Sequence, residues 1–153
     1  MHILMCNDDG ILADGLRHLA SYLSQYYRIT VVAPANEQSA KSHALTTEVP
    51  LKLDACNGED ENPRLYALTG TPSDCMKFGL SYLLADDMPD LVISGINHGF
   101  NLGSDVLYSG TVSAAMESGF DGIPGLALSV ERYSVERGDE MHPFIHELIE
   151  KIY

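Results

Sequence analysis

The sequence is short of positive charge. Nine Lys and Arg stand against 22 Asp and Glu in 153 residues, a net charge of −13 with neutral histidines. Such a surface repels phosphate backbones and anionic lipid, which argues against nucleic-acid and membrane partners. A small phosphorylated ligand would need a local source of positive potential, either a metal ion or oriented backbone amides. Cysteine is also scarce. Cys6, Cys56 and Cys75 are odd in number and widely spaced, without a CxxC pair or zinc-like spacing. That excludes a disulfide-stapled miniprotein and reads as reduced thiols in a cytoplasmic protein. No apolar run reaches the ~18 residues of a membrane helix. The N-terminal His-Ile-Leu-Met-Cys lacks a basic leader region. Repeats, linkers and low-complexity stretches are missing as well. What is present is 45% hydrophobic residues, enough for one cored domain over 1–153.

The apolar pattern predicts an α/β chain. Ile3–Cys6 is a short buried strand that opens abruptly into Asn7-Asp8-Asp9-Gly10. Leu16, Leu19, Ala20, Leu23 and Tyr27 recur at helical spacing and predict a helix over 14–26. Residues 29–33 are β-branched and apolar and close at Pro34, completing a βαβ unit. Residues 45–53 alternate loosely, 54–63 read as a solvated turn, and 64–68 read as a returning strand. Together they predict a β-hairpin-like insertion around 45–68 beside the main sheet. A helix starts near Gly70-Thr71-Pro72-Ser73-Asp74 and stops at Pro89-Asp90. Residues 91–93 form a buried strand, followed by a Gly- and Asn-rich loop over 94–103. A helix over 111–118, a strand over 124–129 and an amphipathic helix from His142 complete the chain. The expected architecture is a Rossmann-like α/β/α sandwich with a mainly parallel sheet.

In open α/β sheets, ligands bind at the carboxyl ends of the strands. Those ends carry Asn7-Asp8-Asp9, Asn36-Glu37-Gln38-Ser39 and Ser94-Gly95-Ile96-Asn97-His98-Gly99. Adjacent Asp8 and Asp9 repel unless a cation or a proton relieves them. Carboxylate, hydroxyl and amide oxygens suit a hard divalent ion, Mg2+ or Mn2+, with Ser39 and Asn97 completing the shell. The alternative is a solvated Asp-Asp-Gly turn. In Tyr108-Ser109-Gly110-Thr111-Val112, small residues run into a helix, which is either an anion site or a plain N-cap. His98 is a candidate proton donor or substrate contact. His142 and His146 are four apart, but the segment lacks the HExxH glutamate, so two solvent-exposed histidines are expected. Cys6 belongs to the core.

Five motifs in one order are familiar: Ile-Leu-Met-Cys-Asn-Asp-Asp-Gly-Ile, Val-Val-Ala-Pro-Ala-Asn-Glu-Gln-Ser, Gly-Thr-Pro-Ser-Asp-Cys, Ser-Gly-Ile-Asn-His-Gly-Phe-Asn-Leu-Gly and Tyr-Ser-Gly-Thr-Val-Ser-Ala-Ala. From Met1 to about Ser129 the chain resembles the SurE family of survival proteins. The resemblance implies a Rossmann-like fold and a divalent-metal-dependent phosphatase acting on nucleoside 5′- and 3′-monophosphates, with short polyphosphate as a further substrate. It implies dimers or tetramers. It places metal ligands on Asp8, Asp9, Ser39 and Asn97, and the Ser109-Gly110-Thr111 motif near the phosphate. Asp8, Asp9 and Asn97 would then carry catalysis, with one Mg2+ or Mn2+ polarising the phosphate and activating a water. Family members run to roughly 250 residues, so the expectation is a chain lacking the family's C-terminal part. The competing expectation is a binding-only relative. A haloacid-dehalogenase mechanism needs Asp-x-Asp, and Gly10 stands two after Asp8.

Overall fold

The computed structural model describes residues 1–153. A six-stranded sheet is formed by β1 (His2–Cys6), β2 (Arg28–Pro34), β3 (Leu53–Ala55), β4 (Arg64–Leu68), β5 (Leu91–His98) and β6 (Gly125–Val130). Its order is β3-β4-β2-β1-β5-β6. All neighbours are parallel except β3 and β4, which pair antiparallel. The helices are α1 (Asp14–Leu23), α2 (Pro72–Phe78, continued by a π-helical turn at Gly79–Leu83), α3 (Gly110–Phe120) and α4 (Val135–Ile152), with a 3-10 segment at Gly103–Tyr108.

Alternation along the central strands assigns the two faces. Ile3 and Met5 join Leu16, Leu19, Ile93, Ile145 and Ile149 in one core, beneath α1 and α4. Leu4 and Cys6 join Val32, Cys75, Met76, Leu80 and Ala114 in the other, beneath α2 and α3. Successive side chains of a strand point to opposite faces, so the four-residue apolar run Ile3–Cys6 serves both cores. Cys6 is fully buried, as its apolar strand implied.

The expected α/β/α sandwich is observed, with differences of boundary that have physical causes. Residues 45–52 are irregular, and β3 is only three residues long, on the sheet edge. The hairpin is part of the main sheet, because β4 pairs with β2 from Thr30↔Arg64 to Pro34↔Leu68. The strand expected at 91–93 runs on to His98, with a register shift against β6 between Ser94 and Asn97. Glycine and asparagine in that stretch reflect a bulge rather than a loop, since an irregular ladder tolerates Gly95 at φ +126°. The last helix begins at Val135 instead of His142, capped by the Ser134 hydroxyl, which accepts from Arg137 N–H. It accommodates Pro143.

The chain moves outward from β1 in both directions, first to β2 and β4, then to β5 and β6. The switch point lies between the carboxyl ends of β1 and β5, where α/β sheets open a crevice. α1 packs tightly there. A Cβ on Gly15 would stand 2.6 Å from the Ile96 carbonyl oxygen. Gly119, exposed on α3, would meet nothing within 4 Å. Gly15→Ala is therefore expected to cost about 1–3 kcal/mol by overpacking. Gly119→Ala should gain about 0.4–1 kcal/mol, through lost chain entropy in the unfolded state. Urea unfolding of the two variants beside the parent chain checks both signs.

Candidate metal and phosphate site

The loop after β1 is shaped by Asn7. Its buried side chain accepts from Gly10 N–H and donates to the Gly10 carbonyl, both at 3.1 Å. Gly10 itself takes φ +101°, a conformation that favours glycine. This closed turn fixes the two residues between, Asp8 and Asp9. The loop after β2 is tied on by Gln38 N–H, which donates to the Asp8 carbonyl at 2.7 Å. β5 arrives from the other side, and His98 N–H donates to Asp9 Oδ2 at 3.4 Å.

These three strand ends wall an open cavity of about 320 Å3. Asp8, Asp9, Ser39, Asn97, His98 and Ser109 all line it, with Asp105 and Tyr108 from the 3-10 segment. Six of the eight residues singled out from sequence thus meet in one place. The other two stand behind the wall. Thr111 is fully buried and its hydroxyl donates to Asp8 Oδ1 at 2.5 Å. Gly110 packs so closely that a Cβ would lie 2.9 Å from Asp8 Cβ and 3.1 Å from Pro72. The sequence expectation gave both residues to a phosphate. In the structure their contacts are with Asp8, and the missing Cβ of Gly110 lets α3 dock on it.

The anion-site and N-cap readings of this segment coexist. Ser109 caps α3, its hydroxyl accepting from Val112 N–H at 3.2 Å, and it also lines the cavity. The first-turn N–H groups of an 11-residue helix carry partial positive charge, and they point toward Asp8.

Electrostatically, the site is dominated by acid. Burial raises the Asp8 carboxyl, against the lowering effect of the Thr111 hydrogen bond. Burial also raises Asp9, and the neighbouring Asp8 charge adds to that. No Lys or Arg lines the cavity. Two carboxylates displaced toward their neutral forms, relieved only in part by His98 beside Asp9, are a donor set that a divalent cation fits. Asn97 is oriented for the same task. Its Nδ2 donates to the Gly99 carbonyl at 2.7 Å, which leaves Oδ1 available. The Ser39 hydroxyl donates to Glu37 at 2.6 Å, so its oxygen retains lone pairs for an ion. Sequence reasoning missed Asn7 as the clamp of the turn, although an Asx side chain before Gly is a recognisable signal. It also missed Glu37, whose only sign was its place beside Ser39.

The histidine pair expected to be exposed is not. His142 is 1% exposed, because α4 starts about two turns earlier, at Val135, and turns this face toward α1. His146 is half-buried, stacked on Tyr26 with ring centroids 4.2 Å apart.

Comparison with known proteins agrees with the geometry. A family model described as "Survival protein SurE" matches residues 3–153. The "5'-nucleotidase SurE" of Thermoanaerobacter sp. (strain X514) is 49% identical over 152 residues, which is 99% of this chain and 60% of that protein. The protein of the same name from Vibrio vulnificus (strain YJ016) is 50% identical over 130 residues, 85% of this chain and 49% of that one. The crystal structure of the SurE protein from Aquifex aeolicus superposes with a TM-score of 0.83 at 38% identity, covering 99% of this chain and 60% of the other. The chain thus spans about 60% of the length of the Thermoanaerobacter relative it matches.

The raised carboxyls have a consequence for stability. A carboxyl whose folded pKa lies above its unfolded value stabilises the fold while protonated. That contribution is full below the ordinary carboxylate range and is lost as pH rises through the raised value. At neutral pH, ionised Asp8 therefore destabilises the metal-free fold. Asp8→Asn should raise the urea midpoint of EDTA-treated protein at pH 7. The gain should shrink as pH is lowered toward about 4. A lower midpoint for Asp8→Asn across that range would contradict the electrostatic reading.

Proposed function

The chain belongs to the SurE family, and from that premise we propose that it is a divalent-metal-dependent phosphatase of nucleoside 5′- and 3′-monophosphates. Short polyphosphate is a further substrate in this reading. The observation that carries it is buried Asp8 beside half-buried Asp9 in a cavity without Lys or Arg, both carboxyls raised by burial. The relatives named 5'-nucleotidase support the substrate class.

In this reading Asp8, Asp9, Asn97 Oδ1 and the Ser39 hydroxyl hold one Mg2+ or Mn2+. When bound, that ion supplies charge neutralisation for the phosphoryl oxygens and an acidified water as nucleophile. The remaining work belongs to the chain. The Thr111 hydroxyl fixes the Asp8 rotamer through its hydrogen bond, so the carboxylate is preorganised for an ion. Ser109 and the first amides of α3 are donors for a phosphoryl oxygen. Asp9 is the better candidate to accept a proton from the attacking water, since Asp8 is already engaged with Thr111. His98 lines the same cavity, its backbone anchored on Asp9, and in this reading its ring is a proton donor to the leaving nucleoside oxygen or a substrate contact. Residues 1–153 carry all of these groups in one domain. The family's oligomers make a homodimer or tetramer the expected assembly. No helix is long and apolar enough to cross a membrane, and a cytoplasmic location is part of the proposal.

The test is phosphate release from 5′-AMP and 3′-AMP with Mn2+, with Mg2+ and with EDTA. Turnover should require the ion and fall by about a hundredfold or more in an Asp8→Asn/Asp9→Asn variant, the scale of losing groups that stabilise transition-state charge. Folded chain that binds Mn2+ without turnover would overturn the enzymatic reading and leave a binding-only relative.

A further inference from the structure

Away from the cavity, α1 and α4 bring together His18, Asp139 and His142. One ligand atom from each lies within 4.8 Å of the others. We propose that these three side chains form a second metal site, selective for a borderline transition ion such as Zn2+, which pins α4 to α1. The proposal does not depend on the activity assigned above.

Four observations point to a ligand. His142 is 1% exposed, and neither of its ring nitrogens has a hydrogen-bond partner. Buried polar atoms are seldom left so, and an imidazole with both nitrogens orphaned lacks a partner that an ion supplies. Second, His18 is oriented as a ligand. Its Nδ1 is 2.9 Å from the Tyr133 hydroxyl, which leaves Nε2 for the ion in the arrangement typical of metal-bound histidine. Third, His18 Nε2 stands 3.3 Å from Asp139 Oδ1. Two ligands at the usual zinc bond lengths span a tetrahedral edge of about 3.3 Å. Fourth, Gly138 lets α4 close on the His18–Tyr133 pair that orients the His18 ring. A Cβ there would lie 3.0 Å from His18 Nδ1 and 2.5 Å from the Tyr133 oxygen.

The charge state also suits a metal. Burial lowers His142 to about 4, and the neighbouring His18 ring adds to the shift. The ring is therefore neutral at physiological pH, the form that coordinates. Two imidazoles and a carboxylate favour zinc over the hard ions that suit the all-oxygen set at Asp8 and Asp9. Asp139 is 67% exposed, so it can rotate onto the ion, and solvent can supply the fourth ligand. The His18 and His142 rings pack edge-to-face with centroids 4.6 Å apart, which fixes both imidazoles at the α1–α4 contact.

The experiment uses Zn2+ alone as the probe, with the full chain carrying Asp8→Asn/Asp9→Asn to disable the first site. Calorimetric titration should show one equivalent bound, and Co2+ in its place should give the intense visible bands of a tetrahedral centre. Adding His18→Gln should weaken Zn2+ by at least about tenfold, since even outer-shell changes cost that much. Adding Asp139→Asn, an exposed position that leaves the core intact, should weaken it in the same direction. Circular dichroism confirms that each variant is folded. Zinc should also raise the melting temperature of the Asp8→Asn/Asp9→Asn protein but not that of the His18→Gln version. Absence of zinc binding by the double variant would overturn the proposal. So would affinity unchanged by both His18→Gln and Asp139→Asn.

Discussion

The structure is organised around two adjacent carboxylates held where carboxylates are costly. Asp8 is 6% exposed at the end of the central strand, and Asp9 is beside it. No Lys or Arg in the cavity they line offsets their repulsion and desolvation, and His98 relieves Asp9 only in part. A fold retains such an arrangement only if neighbouring contacts over-determine it. Those contacts are the Asn7 clamp, the Gln38 amide on the Asp8 carbonyl, the Thr111 hydroxyl on the Asp8 carboxylate and the His98 amide on Asp9. They come from four different parts of the chain, and each is a backbone or hydroxyl dipole rather than a full charge. The site is thus prepared for a positive ion from outside.

This requirement reaches into the fold. The N-terminus of α3 must approach β1 closely, so position 110 has no Cβ. β5 must present Asn97 at the cavity wall, so its ladder with β6 shifts register between Ser94 and Asn97. α1 must lie against that shifted segment, so position 15 is glycine. The opposite face carries a different arrangement of the same kind. Gly138 leaves room for His18 and Tyr133, and the partnerless His142 faces them. One cluster is built of oxygen donors and the other mostly of nitrogen donors, which separates the ions they would select.

Much of this was legible in the sequence, for local reasons. Ile3–Cys6 is uniformly apolar, and 29–33 is so apart from Thr30, because parallel strands are covered on both faces. The strand-end rule then collected Asp8, Asp9, Ser39, Asn97 and His98, and the small residues opening a helix gave Ser109, without any long-range information. The Thr71–Asp74 capping box, observed with both hydrogen bonds, fixed the start of α2. What was not legible depends on tertiary contact. The Gly-rich stretch after Ile93 reads as a loop, since a bulge and a loop use the same residues. His142 and His146 read as a surface pair because the rings that cover His142, His18 and Tyr22, lie on α1, more than a hundred residues away. The hydroxyl of Thr111 reads as a phosphate ligand until its bond to Asp8 is seen.

The central claim is that the Asp8–Asp9 pair exists to hold a divalent cation. Anomalous diffraction from crystals of this chain grown with Mn2+ tests it most directly. The account predicts a Mn2+ peak between the two carboxylates, within bonding distance of Asn97 Oδ1. Crystals with no anomalous density at that position, under Mn2+ concentrations that saturate the protein in solution, would contradict it.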